Sequence, residues 1–172
     1  MTDNTQNSVA ASAHEKLRQT KSLQEILEVA LSFEKMARDF YADLATRVSK
    51  PMRGLVEELA TEEQSHYEMF KDLMRRDDVH AHFSEKFPLP PSDHKFSDFV
   101  HLPDLGESPD DQDVLRYALD REQAAMEQYA SLAEEVPPGP IADLFRFLAQ
   151  EELEHKKELE KKYLEVVYSG GV

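Results

Sequence analysis

The chain has 172 residues, of which 40% are hydrophobic and 32% charged, with 5 glycines, no tryptophan and a formal net charge of −15. That length suits one domain with one substantial core, and that charge opposes approach to nucleic acid or to an anionic membrane surface. With no cysteine present, disulfides, thiolate zinc sites, iron–sulfur clusters and cysteine nucleophiles are excluded within the chain.

Residues 1–20 are small and polar and are expected to form a flexible N-terminal tail. MTDNTQNSVAASAHEK lacks a basic start followed by an apolar run, so no secretory signal is expected and a cytoplasmic location is the natural reading. Ser22 and Glu25 make a capping box, opening a helix whose apolar positions Leu23, Leu27, Ala30, Ala37, Tyr41, Leu44 and Val48 recur at helical spacing. Lys50-Pro51 interrupts it and starts a second helix over about 51–76, with Leu55, Leu59, Phe70 and Leu73 on one stripe.

The stretch from about 77 to 108 holds Pro88, Pro90, Pro91 and Pro103 with scattered aromatics. A long connection without periodicity usually has a task. Here the task is a crossover along a bundle, since about 25 helical residues span roughly 37 Å and about 30 extended residues reach that far. His80, His82, His94 and His101 within it are spaced irregularly, as ordinary loop histidines are. Ser108-Pro109 predicts an N-cap and first-turn proline for a third helix over about 109–135, and Pro137-Pro138-Gly139-Pro140 turns the chain into a fourth reaching about 168. The expected fold is therefore all-α: a four-helix bundle over 21–168, built of two antiparallel hairpins joined by one long crossover.

The two halves match each other. EKMARDFYADLATRV aligns with EQAAMEQYASLAEEV at an offset of 88, and LVEELATEEQSH with LFRFLAQEELEH at an offset of 89. Glu34 thereby pairs with Glu122, Tyr41 with Tyr129, Glu63 with Glu152 and His66 with His155. Each of these carboxylates falls on the apolar stripe of its helix, where a lone charge is heavily penalised. Each histidine follows its glutamate by three residues and so shares its face. Four carboxylates and two imidazoles in one core require cations, and two divalent ions would cancel the formal charge. Such donors suit iron or manganese in a dinuclear site. The candidate metal ligands are Glu34, Glu63, His66, Glu122, Glu152 and His155. Tyr41 and Tyr129 read as core residues near the site that could brace a ligand, and Glu62 and Glu151 as helix charges close enough to do the same. No catalytic residue beyond the ligands is expected.

FEKMARDFY, TEEQSHYEMF, DREQAAMEQY and QEELEHKKEL resemble the ferritin-like di-iron carboxylate superfamily over about residues 22–168, and within it the rubrerythrin branch. The resemblance implies two iron ions, with manganese or zinc as alternatives, and Glu63 and Glu152 as bridging carboxylates. It implies an oxidoreductase that reacts with hydrogen peroxide or dioxygen. The competing implication is an iron-binding or ferroxidase protein that sequesters or delivers iron; a structural bundle holding adventitious metal is a third. Two departures stand out. Full-length rubrerythrins carry a four-cysteine rubredoxin-like centre, so an enzyme without it needs a separate electron-donor protein. They also commonly place a further glutamate on the third helix, where this chain has Ala125, with Glu127 rotated about 140° from Glu122; the six ligands then match bacterioferritin-like sites. A homodimer is expected by the same resemblance, and neither nucleic acid nor membrane is.

Overall fold

Residues 20–88 and 104–169 are described by the computed structural model. Strand β1 (Thr20–Ser22) leads into α1 (Leu23–Leu44), α2 (Lys50–Met74), a short α3 (Asp77–His80), strand β2 (Lys86–Pro88), α4 (Asp111–Glu135) and α5 (Pro140–Ser169). The tail over residues 1–19 and the middle of the crossover, 89–103, with His94 and His101, lie outside the described residues.

The capping box at Ser22 is formed as the sequence predicts. The Ser22 side chain accepts from the Glu25 amide, and the Ser22 amide donates to the Glu25 carboxylate. At α4 the cap differs from expectation. Asp110, not Ser108, is the N-cap, its carboxylate accepting from the Gln112 amide. An anion there also meets the positive end of the helix dipole. The crossover is less irregular than its composition suggests: β2 pairs antiparallel with β1, matching Thr20 with Pro88 and Ser22 with Lys86. This two-stranded clasp ties the start of α1 to the chain leaving α3.

The helices form two hairpins, α1 against α2 and α4 against α5, and backbone approach is closest within each hairpin. Between hairpins the wider gap is filled by large buried side chains, among them Phe33, Tyr41, Phe70, Tyr129, Phe145 and Arg121. The apolar core is divided. One cluster gathers Leu23, Leu27, Phe33, Phe70, Leu132, Phe145 and Leu148; another gathers Phe40, Leu44, Met52, Leu59, Leu115 and Leu159. Burying such side chains stabilises by about 1.5–3 kcal/mol apiece. Between the clusters lies a buried polar layer, carried on the same faces of the same helices. No described helix is long and apolar enough to cross a membrane.

Candidate metal centre

The polar layer is built from one glutamate on each of α1 and α4 (Glu34, Glu122) and a glutamate–histidine pair on each of α2 and α5 (Glu63 with His66, Glu152 with His155). All six are buried, the four glutamates fully so. They form two overlapping groups whose donor atoms lie within 4.8 Å of one another: Glu34, Glu63, His66 and Glu152, and Glu63, Glu122, Glu152 and His155. Around His66, Nδ1 lies 3.3 Å from Glu63 Oε2, 3.5 Å from Glu152 Oε1 and 3.6 Å from Glu34 Oε2. Around His155, Nδ1 lies 3.1 Å from Glu152 Oε2 and 3.9 Å from Glu122 Oε2. The rings stack with centroids 5.6 Å apart. Glu152 therefore turns one oxygen to each histidine.

Both tyrosines reach across the bundle. Tyr41, on α1, donates its hydroxyl proton to Glu122 Oε1 at 2.6 Å. Tyr129, on α4, donates to Glu34 Oε1. Each hairpin thus holds the other's glutamate, and one oxygen of each carboxylate stays turned toward the histidines. Glu62 is brought to the site as well: its Oε2 lies 2.7 Å from His155 Nε2, which leaves Nδ1 as the nitrogen facing the carboxylates. Glu151, its counterpart in the repeat, is half-buried and makes no ion pair with His66 among the described residues. Ala125 is buried, and Glu127 accepts a hydrogen bond from Gln123 on its own helix. His80 packs against Phe83 with ring centroids 4.4 Å apart, and His82 lies 2.5 Å from Glu85; both are exposed and neither joins the cluster.

Arg121 is the functional candidate that sequence reasoning missed. It is among the largest fully buried side chains of the described residues, and its Nη1 donates to Glu63 Oε1 at 2.9 Å and to Glu122 Oε1 at 3.0 Å. Its guanidinium stands 4.1 Å from the Phe33 ring centroid and 5.7 Å from that of Tyr41. Two signals marked it. It shares the α4 stripe with Val114, Ala118, Ala125 and Gln128, all buried, and the offset that pairs Glu34 with Glu122 pairs Phe33 with Arg121. The repeat is broken by a charge right beside the ligands.

The electrostatics follow from burial. Burial pushes Glu63 and Glu152 from the usual carboxylate value up to about 7, with neighbouring glutamates adding to it and Arg121 opposing it at Glu63. Glu122 goes the other way, because the attraction of Arg121 and hydrogen bonds from the site overcome its burial. Burial would strip the proton from both histidines, yet their carboxylate partners outweigh it. His66 is raised and His155 is pushed up to about 12. Burial and the facing carboxylates likewise raise the Tyr41 and Tyr129 hydroxyls well above their ordinary value, so both stay protonated as donors.

Glu34 Oε2, Glu63 Oε2, Glu122 Oε2, Glu152 Oε1 and His66 Nδ1 are buried atoms without a hydrogen-bond partner. Orphaned acceptors are costly in a dry interior, and here they converge. Carboxylate oxygens with imidazole nitrogen at this spacing form a donor set that fits a pair of divalent cations, and such ions would satisfy the orphaned oxygens and nitrogen together.

The family model described as Rubrerythrin matches residues 4–91 and 113–169. Among solved structures, a candidate ferritin-like diiron-carboxylate protein from Thermotoga maritima is 19% identical, with 86% of this chain and 98% of that chain covered and a TM-score of 0.66. A hypothetical protein from Pyrococcus furiosus is 25% identical, with 86% and 91% covered and a TM-score of 0.61. No curated protein matches the chain.

Proposed function

The chain belongs to the rubrerythrin family, and from that premise we propose that it is a di-iron oxidoreductase that reacts with hydrogen peroxide or dioxygen. The observation that carries the reading is the convergence of five unpartnered buried donor atoms in two overlapping four-residue groups. Glu34, Glu63, His66, Glu122, Glu152 and His155 would hold the metals, which would supply redox electrons and Lewis acidity.

The protein's own contribution is preorganisation. Tyr41 and Tyr129 anchor one oxygen of Glu122 and Glu34 and leave the other free. Glu62, beside His155 Nε2, fixes the imidazole with Nδ1 toward the site, as carboxylate partners of ligating histidines do. The apolar clusters on either side exclude bulk water and strengthen every interaction within. Without cysteine, the chain itself carries no thiolate iron centre, so electrons would come from a separate donor protein.

A second reading is iron handling, in which oxidised iron is retained or passed on rather than cycled. It is favoured by Ala125, fully buried where rubrerythrins commonly carry a further glutamate. The test is rapid mixing of the anaerobic ferrous-loaded protein with hydrogen peroxide and, separately, with dioxygen. Repeated turnover with an added reductant supports the oxidoreductase. A single slow oxidation with ferric iron retained favours handling. Failure to retain ferrous iron in the core removes both readings.

A further inference from the structure

Resting on the dinuclear reading above, we propose that Arg121 makes the two metal positions inequivalent, so that the position beside His66 fills first and tightly and the one beside His155 second and weakly. Arg121 is a positioning residue in this account, acting through the carboxylates it binds.

The two positions differ in their donor atoms. Beside His66, four protein atoms converge: His66 Nδ1, Glu63 Oε2, Glu152 Oε1 and Glu34 Oε2, the oxygens all within 3.6 Å of the nitrogen. All four lack a hydrogen bond. Beside His155, Nδ1 meets Glu152 Oε2 and Glu122 Oε2. The carboxylate that would complete this second group is Glu63, and its Oε1 is taken by Arg121. The same guanidinium nitrogen holds Glu122 Oε1. The second position is thus left with three donors, of which His155 Nδ1 and Glu152 Oε2 are hydrogen-bonded to each other, and a fixed cation beside two of its carboxylates.

Charge acts in the same direction. Within the buried cluster four glutamates and one guanidinium sum to −3, so one divalent ion leaves −1 while two leave +1; Glu62 beside His155 Nε2 adds a further negative charge, but one that is 40% exposed and screened by solvent. A buried site binds the first ion with attraction to spare and the second against a growing positive charge. The first half of the repeat has Phe33 where the second has Arg121, and the two side chains lie against each other. The sequence asymmetry therefore falls directly beside the ligands Glu63 and Glu122, where it distinguishes one position from the other.

The test is an anaerobic titration of the full-length, metal-free protein with Co(II), followed by calorimetry and by the visible absorption of bound cobalt. The wild type is expected to show two steps, the second at least tenfold weaker. Arg121→Gln is expected to strengthen the second step at least tenfold and to leave the first within about threefold. Arg121→Lys, which keeps the charge, is expected to preserve the gap. A residue that only supported the fold would weaken both steps alike, and that result, or two equal steps in the wild type, overturns the proposal while leaving the dinuclear reading intact. Absence of cobalt from the core would instead remove the dinuclear reading itself. Should Arg121→Gln fail to fold, Glu122→Gln serves: Glu122 belongs only to the second group, so the weak step should vanish and the tight one remain. Loss of the tight step in that variant is equally fatal to the proposal.

Discussion

Replacing Glu152 by Gln should make the metal-free protein more stable while abolishing most of its stabilisation by metal. Glu152 is fully buried, and burial together with Glu63 and Glu122 holds its carboxyl up at about 7. At pH 8 the group is ionised in both folded and unfolded chains, so the folded state carries the disfavour. A displacement from 4.5 to about 7 corresponds to roughly 3 kcal/mol. Gln keeps the shape, can still accept from His155 Nδ1, and removes the charge. Since Glu63 and Glu122 readjust, the expected gain is about 1–3 kcal/mol. Urea denaturation at pH 8 should place the variant's midpoint roughly 0.5–1.5 M higher without metal. Saturating ferrous or cobaltous ion should then raise the wild type by about 3 kcal/mol at a hundred times its dissociation constant, and the variant by far less. A variant less stable than wild type without metal, or equally stabilised by it, refutes the reasoning. Sites built for a ligand commonly carry such a stability cost.

The pH dependence of the metal-free protein has a definite sign. The raised Glu63 and Glu152 contribute stability that is complete below about 4.5 and lost as pH rises through 7. The raised His66 and His155 contribute stability complete below about 6.5 and lost at higher pH. All four act together, so the metal-free melting temperature should fall between pH 6 and 8.5 in thermal scans, whereas metal affinity should rise, since ligands must shed protons; a metal-free melting temperature that rises over that range contradicts the assignment. Tyr129→Phe deletes the donor to Glu34 and should cost about 1.5–3 kcal/mol in urea denaturation; no loss would mean that the bond carries nothing. Glu62→Gln weakens the partner of His155 Nε2. With that side chain 40% exposed, metal affinity in the cobalt titration should drop about tenfold, the low end for such partners. Ser22→Ala removes the α1 cap, an expected loss of about 1 kcal/mol in the same denaturation assay.

Much of this was legible in the sequence, because helices announce themselves by period. The apolar spacing from Leu23 to Leu44, the Ser22–Glu25 box and the proline breaks mark out the four long helices, and the repeat of Glu34, Glu63 and His66 in Glu122, Glu152 and His155 picks out the residues that converge. What escaped was set by contacts between distant segments. The β1–β2 clasp pairs Thr20 with Pro88, a match across 68 residues that no local pattern encodes. Asp110 displaced Ser108 as the α4 cap because either residue type can cap, and the backbone geometry chooses. Arg121 was overlooked because an arginine beside a glutamate on an acidic helix resembles a solvated pair; its place on the α4 stripe and opposite Phe33 in the repeat hinted at burial, and the packing of Phe33 and Tyr41 around it shows that it points inward. Glu62 and Glu151 look equivalent in the repeat, yet only Glu62 reaches a histidine.

The central claim is that the buried layer between α1, α2, α4 and α5 holds a pair of metal ions, and anomalous diffraction from crystals grown with ferrous iron under anaerobic conditions tests it most directly. Data collected at the iron edge should show two peaks inside the bundle, one beside His66 and one beside His155, each touched by one oxygen of Glu152. Peaks confined to the acidic surface, with Glu34, Glu63, Glu122 and Glu152 left without metal at saturating iron, would contradict the account.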